Sequence, residues 1–370
     1  MNSEILSILS SGRISYGPKS QWFERAFADS HHCDHGIISN SGTSALLVAL
    51  EACRDIGAWE PESEVIVPAL TFVASVNAIT QAGLKPVLVD VNPYTYVIDE
   101  TKIEKAITDK TVAIMPVHLF GRPCNMDIIG RIATHYNLGI IEDCCEAFGA
   151  KYKQTPVGSF GSVGCFSTYV GHHIVTGVGG MCLTNDPLLA KIMRSYVNHG
   201  LSVSQLPTGL EYDPSMLGRI FQFDRIGHSF RTTELEAAIG IHQLTDWPKK
   251  IAMRRENATV YNRYLSGIRD ISIPNQLDPV YFHSFMVYPI LIKNGAVKAS
   301  VLMEHLRENG IECRSMMPLT NQPCYDFDED QWPYAKYINE YGFYIGCHEY
   351  LSKDHIEYAA KIIKDYFFTG

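Results

Sequence analysis

The sequence predicts an α/β fold: a large domain on a mainly parallel sheet, followed by a smaller C-terminal α+β domain. Three observations carry this. From residue 36 onward, short β-branched runs alternate with amphipathic stretches of helical length, the pattern of strands joined by right-handed crossovers. After residue 160 the pattern changes to paired strand-like runs and then to longer helices. The chain has 370 residues, more than one core serves, because single cores stop growing near ~250–300 residues.

The elements follow in order. "GIIS" (36–39) reads as a strand and "SGTSALLVALEACRDIG" (41–57) as a helix. "EVIVP" (64–68), "KPVLVDV" (85–91), "TVAIMPV" (111–117) and "GIIED" (139–143) are short apolar runs without alternation, as expected of strands covered on both faces. Between them, "TFVASVNAITQAG" (71–83), "DETKIEKAI" (99–107) and "MDIIGRIATHYN" (126–137) read as helices. Thr43 and Asp99 mark helix starts; Gly57, Gly83 and Asn137 with Gly139 mark ends. "VGCFST" and "GGMCLTN" form the strand pair, with helices near 186–197 and 232–245. A long helix at about 249–266 leads out of the large domain, so residues 1–250 and 251–370 form the two domains. The second mixes "FMVYPILI" with helices such as "KASVLMEHLRENG" and "DHIEYAAKIIKDYF". Residues 200–225, rich in Ser, Gly, Pro and Leu, suit a mobile or interface loop.

Composition excludes several classes. Charged residues are 19% and hydrophobic ones 46%, an ordinary globule rather than a disordered or fibrous chain. A net charge of −9 without a Lys/Arg run argues against nucleic acid as a partner. The N-terminus has no basic leader region, and no run of ~18 apolar residues occurs to span a membrane, so a cytoplasmic protein is expected. The ten cysteines lack CxxC pairing and read as reduced core thiols. "HHCDH", with His31, His32, Cys33 and His35, fits no structural zinc spacing and reads as solvated turn residues.

Ligands of parallel sheets sit at the carboxyl ends of strands, and three stretches there carry chemistry. "SNSGTSAL" puts Ser41, Gly42, Thr43 and Ser44 between a strand and a helix, either as an ordinary cap or as a phosphate cradle. Asp143 ends a strand in "IIEDCCEAFGA", as a cap or facing a cationic ring nitrogen. "FSTYVGHHIVTGVGG" (166–180) holds Ser167, Tyr169, His172 and His173 ahead of Gly177, Gly179 and Gly180. Taken alone, each histidine reads as a satisfied core or surface residue rather than a catalyst.

The ordered series SGTSAL, PALTF, PVHLFG, IEDCCEAFGA, VGSFG, FSTY..HH...GG, NHG and FRTTELEAAIGIHQL resembles the DegT/DnrJ/EryC1/StrS sugar aminotransferase and dehydratase family. The likeness spans almost the whole chain. It implies a fold-type I, aspartate aminotransferase-like enzyme that uses pyridoxal 5′-phosphate or pyridoxamine 5′-phosphate, with active sites completed across a homodimer. Carried over by position, Asp143 pairs with the pyridine nitrogen and Phe72 stacks on the ring. Gly42, Thr43 and Ser167 hold the phosphate, and Glu146 lies near the ring hydroxyl. Ser229 stands where members often have an Asn reaching the partner subunit's phosphate, and Val178 where they frequently show Glu. His199 resembles a residue on the substrate side; Arg314 in "IECRS" is a candidate for substrate or donor binding.

The departure that matters is the missing lysine. Aminotransferases of the family read approximately FSFYPxKN here, and His172 occupies the lysine's place. Lysine both tethers the cofactor and shuttles a proton. Imidazole cannot tether it, but with a pKa near ~6.5 it can act as general base. The pattern is similar to the family's 3-dehydratases, which expel the 3-hydroxyl of a nucleotide-linked 4-keto-6-deoxy sugar and regain the amine from L-glutamate. His172 is preferred over His173 as the base. Cys145 matches a first ligand of an iron–sulfur branch, but no cysteine lies between Cys182 and Cys313, and such a cluster needs about four thiolates; none is expected. Two rivals stand beside this: a sugar aminotransferase using Lys151, Lys153 or Lys191, and a cofactor-binding homologue without activity.

Overall fold

The fold is that of a computed structural model, which describes residues 2–202, 222–274 and 278–369. The chain opens with α1 (Asn2–Ser11) and α2 (Pro18–Ser30) before β1 (His35–Ser39). It alternates α3 (Gly42–Gly57), β2 (Glu64–Pro68), α4 (Val73–Gln81), β3 (Lys85–Val89), α5 (Ile103–Ala106), β4 (Thr111–Ile114), α6 (Met126–Tyr136) and β5 (Gly139–Asp143). Two strand pairs follow, β6 (Lys151–Tyr152) with β7 (Thr155–Pro156) and β8 (Val163–Ser167) with β9 (Gly180–Thr184). Then come α7 (Pro187–Val197), α8 (Glu234–Thr245) and α9 (Trp247–Leu265). The C-terminal part contains β10 (Ile271–Ser272), β11 (Tyr281–Phe282), β12 (Val287–Ile292), α10 (Ala299–Glu308), β13 (Cys313–Ser315), α11 (Pro333–Tyr341), β14 (Gly342–Gly346) and α12 (Lys353–Thr369).

The main sheet has the strand order β1-β9-β8-β5-β4-β2-β3. β8, β5, β4, β2 and β3 pair in parallel, while β9 lies antiparallel between β1 and β8. All strands of this sheet except β9 therefore point the same way. Their carboxyl ends form one edge, and that edge receives Gly42 after β1, Phe72 after β2, Asp143 at the end of β5 and Ser167 at the end of β8. The apolar runs behave as their composition requires: every residue of β2 is buried, as in a sheet covered on both faces.

The second sheet, β10-β12-β14-β13, is antiparallel and has its own core, with Tyr261, Phe285, Tyr288, Ile290, Phe343 and Ile363. It is tied back to the first part by long-range bonds. Trp332 Nε1 donates to the Leu88 carbonyl at 3.0 Å, Tyr325 to Asn77 at 2.6 Å and the Ala335 amide to Asp90 at 2.9 Å; β11 pairs with β6. The cleft between the two parts is thus held at several points.

Three readings change in detail. The first long helix starts at Gly42 with Ser41, not Thr43, as its cap: Ser41 Oγ accepts the Ser44 amide at 3.0 Å. "HHCDH" is not a solvated turn. His31 is fully buried among Phe27, Phe148 and Phe166, its ring stacked on Phe27, and Cys33 is buried too; burial pushes the His31 pKa down to about 3. His32 and Asp34 do project outward, and His35 is half-buried at the start of β1. Eight of the ten cysteines are buried and free, Cys145 is half-buried and Cys324 is exposed. Most of 200–225 lies outside the described residues; at its margins the Ser202 amide donates to the Gln222 carbonyl at 2.8 Å.

Candidate active site

The β1–α3 turn is built for close approach. A Cβ on Gly42 would lie 2.7 Å from Ser167 Cβ and 2.9 Å from Cys145 Sγ, and one on Gly180 would lie 2.1 Å from the Ser41 carbonyl oxygen. The two hairpin strands and the helix start are therefore pressed together as only glycine allows. The first-turn amides of α3, including those of Gly42 and Thr43, have no intrahelical acceptor and sit at the positive end of the helix dipole. The Ser167 hydroxyl lies against them and receives the Tyr169 amide at 3.4 Å.

Along the same edge, the Asp143 carboxylate is buried. One oxygen accepts Ser75 Oγ at 2.7 Å and the other the Cys145 amide at 3.1 Å. Ser75 lies in the first turn of α4; its signal in the sequence is one polar residue three places after Phe72, which the sequence reading missed. Phe72 itself is 57% exposed, a large aromatic held at a strand's end with no core to fill. Glu146 is buried beside Asp143 and accepts the Phe120 amide at 2.8 Å. Burial raises its pKa to about 7, and the Asp143 charge adds to this against the pull of the amide. Near neutral pH it can therefore donate or accept a hydrogen bond.

The loop between β8 and β9 is clasped at its base. Thr168 and Thr176 share a 2.6 Å hydroxyl contact, and the Thr176 amide donates to the Thr168 carbonyl at 2.9 Å. The two histidines at its tip part company. His173 is buried, with Nε2 3.3 Å from the Ser284 carbonyl. His172 is half-buried and lines a cavity of about 830 Å³ together with Arg314, Tyr344, Arg254, Glu312 and Glu349. Burial, reinforced by the Arg254 charge, lowers the His172 pKa to about 4, so the ring is neutral over the physiological range. Arg314 is exposed on β13 and paired with Glu312 at 2.8 Å.

His199 and Ser229 stand together elsewhere. Both are exposed, and Arg231 bridges them, 2.8 Å from His199 Nε2 and 3.1 Å from Ser229 Oγ. Neither is among the residues lining the His172 cavity. Val178 is 51% exposed. The rival lysines stand away from this constellation: Lys153 pairs with Asp127, Lys191 is exposed on α7 and Lys151 begins β6. No lysine lines the cavity among the described residues.

One compact group of metal-type ligands occurs among the described residues: His118, Glu142 and Cys144. The polar atoms of His118 and Glu142 are already used. His118 Nδ1 accepts the Cys124 amide, Nε2 meets Glu142 at 3.0 Å, and Glu142 accepts the amides of Gly158, Phe160 and Gly161. This is a strut for the turn before β8. Cys145 belongs to no such group.

A buried carboxylate, an exposed aromatic ring, a glycine-tight helix start with free amides and a serine at its mouth fit a phosphorylated pyridine. Comparison with known proteins agrees with that constellation. The model of the DegT/DnrJ/EryC1/StrS aminotransferase family matches residues 1–364. GDP-perosamine synthase of Escherichia coli O157:H7 is 35% identical over 354 residues, 95% of this chain and 91% of that protein. GDP-4-keto-6-deoxy-D-mannose 3-dehydratase of Yersinia pseudotuberculosis is 31% identical over 375 residues, 97% and 94% of the two chains. Among solved structures, the Escherichia coli GDP-4-keto-6-deoxy-D-mannose-3-dehydratase with bound hydrated PLP superposes with a TM-score of 0.89 at 29% identity, covering 98% of this chain and 95% of that one.

Proposed function

Because the chain belongs to the DegT/DnrJ/EryC1/StrS aminotransferase family, we propose that it is a pyridoxamine phosphate-dependent 3-dehydratase of a nucleotide-linked 4-keto-6-deoxy sugar, recharged by L-glutamate. The observation that carries this reading is His172: a neutral imidazole lines the cavity, from the loop position where a lysine would be needed to tether the cofactor.

The cofactor would supply an amine for the sugar's keto group and a ring that accepts electrons. The chain's own groups have distinct tasks. Asp143, kept in place by Ser75 and the Cys145 amide, holds the proton on the ring nitrogen. Phe72 offers its exposed face to the ring. Gly42, Thr43 and Ser167 bind the phosphate, joined by Ser229 of a second copy in a homodimer. Glu146 shares a proton with the ring hydroxyl. His172 takes the proton from the cofactor's C4′ and delivers it to the departing 3-hydroxyl, so that one group serves as base and then as acid. Arg314, which lines the cavity, is assigned to substrate or donor binding, and His199, which stands beside Ser229 outside it, to the same task from the second copy.

The test is incubation with pyridoxal phosphate, L-glutamate and a panel of GDP-, CDP-, UDP- and dTDP-linked 4-keto-6-deoxy sugars. The expected result is a product lacking one oxygen, with release of 2-oxoglutarate. A 4-amino sugar instead would overturn the dehydratase reading. It would favour the second reading, a sugar aminotransferase, for which the 35% identity to GDP-perosamine synthase speaks. No turnover with any sugar would leave a cofactor-binding homologue. Borohydride reduction and peptide mapping give an independent check, because the dehydratase carries no pyridoxyl group on any lysine.

The phosphate cradle makes its own prediction. Gly42→Ala pushes a methyl group against Ser167 Cβ, which rotamer change cannot move. Overpacking of this kind costs about 1–3 kcal/mol, and spread over the cradle it should weaken pyridoxal phosphate uptake about tenfold or more. Absorbance titration of the variant against the parent reads it directly.

A further inference from the structure

A histidine base is usually raised by a carboxylate hydrogen-bonded to its far nitrogen. Among the described residues His172 has no such partner: its Nδ1 is buried with no hydrogen bond. The charged residues around it include Arg254 on α9 and Glu349, which follows β14. Both line the same cavity as His172. Arg254 is buried, and its Nη1 donates to the Met286 carbonyl at 2.9 Å and the Phe285 carbonyl at 3.4 Å. Its Nη2 lies 2.9 Å from a Glu349 oxygen, a charge contact not aligned as a hydrogen bond, since that oxygen is left without one. The guanidinium is thus fixed by backbone carbonyls, with Glu349 as its counter-ion.

We propose that Arg254, with Glu349 as its counter-charge, is a positioning residue for the proton carried by His172: a fixed cation across the cavity disfavours the imidazolium, so a proton once gained is handed on. The inference rests on His172 as the proton-transfer group. In the step concerned, His172 would take the proton from the cofactor's C4′, and the cofactor, when bound, would pass the freed electron pair on to expel the sugar's 3-hydroxyl. The sugar C3–O bond then breaks, and the proton held by His172 passes to that oxygen, which leaves as water. A reluctant imidazolium is a strong acid, and the departing hydroxyl is where a strong acid is needed. The lowered pKa of His172, with Arg254 as its second cause after burial, agrees with this.

Other polar and titratable groups share the loop or the cavity with His172. His173 and Tyr169 lie on its own loop, Gln243 on α8 and Tyr261 on α9. Glu312 and Arg314 lie at β13, Tyr344 on β14, His348 beside Glu349, and His355 and Tyr358 on α12. Arg314 and Glu312 are exposed and paired, so solvent screens them; Arg254 is the buried cation.

The test titrates His172 itself. Cofactor-free protein labelled at the histidine ring carbons is followed by NMR from pH 7.5 down to the onset of acid unfolding, with His172→Asn assigning the signal. In the parent the fitted midpoint is expected near about 4. Arg254→Met should raise it by about one pH unit, while Arg254→Lys, which keeps the charge and changes the shape, should leave it low. Equal rises in both variants would mean a purely structural role, and no rise in the Met variant would likewise overturn the proposal. Should the Arg254 variants fail to fold, Glu349→Gln decides: losing the counter-charge must lower the midpoint, whereas mere loosening of the cavity would raise it, and an unchanged value also counts against the proposal. None of these readouts depends on turnover. A fully active His172→Asn enzyme would remove the functional reading while leaving the titration result intact.

Discussion

Replacing His172 with Asn is expected to lower 3-deoxygenation by on the order of 10²–10⁴-fold, the range attached to a positioned general acid–base group. Asparagine keeps the polarity and approximate size of the side chain but cannot take up a proton at neutral pH. Cofactor uptake should survive, because the groups assigned to hold the ring and phosphate, Asp143, Phe72, Gly42, Thr43 and Ser167, lie on the strand ends and not on the loop tip. The measurement is therefore double: absorbance for bound pyridoxal phosphate and mass spectrometry for oxygen loss. Uptake retained with product lost supports the assignment; an unchanged rate removes it. His173 cannot stand in, being buried against the Ser284 carbonyl.

The second large effect is acid lability. His31 is held to about 3 and His172 to about 4, and burial lowers His173 and His283 well below their ordinary value. In the unfolded chain each titrates near ~6.5. Between those limits the unfolded state binds protons that the folded state refuses, so stability falls as pH falls, by up to about 1.4 kcal/mol per pH unit for each histidine. Glu146, raised to about 7, and Glu51, raised by burial, have the opposite sign: they take up protons in the folded state first and offset part of the loss. Five histidines, His348 being lowered by burial as well, against two carboxyl groups leave a net loss on the order of 2–3 kcal/mol between pH 6.5 and 5.5. Urea midpoints at those two pH values measure it. Equal or greater stability at pH 5.5 would show that these imidazoles are not neutral inside the fold.

Much of this molecule was legible along the chain. β2, β3, β4 and β5 announce themselves as short apolar runs, and α3, α4 and α6 as the helices between them, because backbone periodicity and capping act over a few residues. The ordered motifs identified the family and the strand-end residues Gly42, Phe72, Asp143 and Ser167. What failed also has a physical reason. His31 was read as solvated since nothing local says that Phe148 and Phe166, more than a hundred residues away, close over it. Ser75 was overlooked because a single serine in a helix has no signature until Asp143 lies beside it.

By itself, then, the sequence determined the α/β pattern, the family and the loss of the lysine, each of which is written in neighbouring residues or in the order of short motifs. Only the tertiary structure decided which histidine faces the cavity, that Arg314 shares that cavity with His172, that His199 and Ser229 stand apart from it around Arg231, and that the buried Arg254–Glu349 pair lines it too. Those relations join elements far apart in the chain. Burial and electrostatic fields depend on distance through space, and distance through space is set by how the second sheet packs on the first.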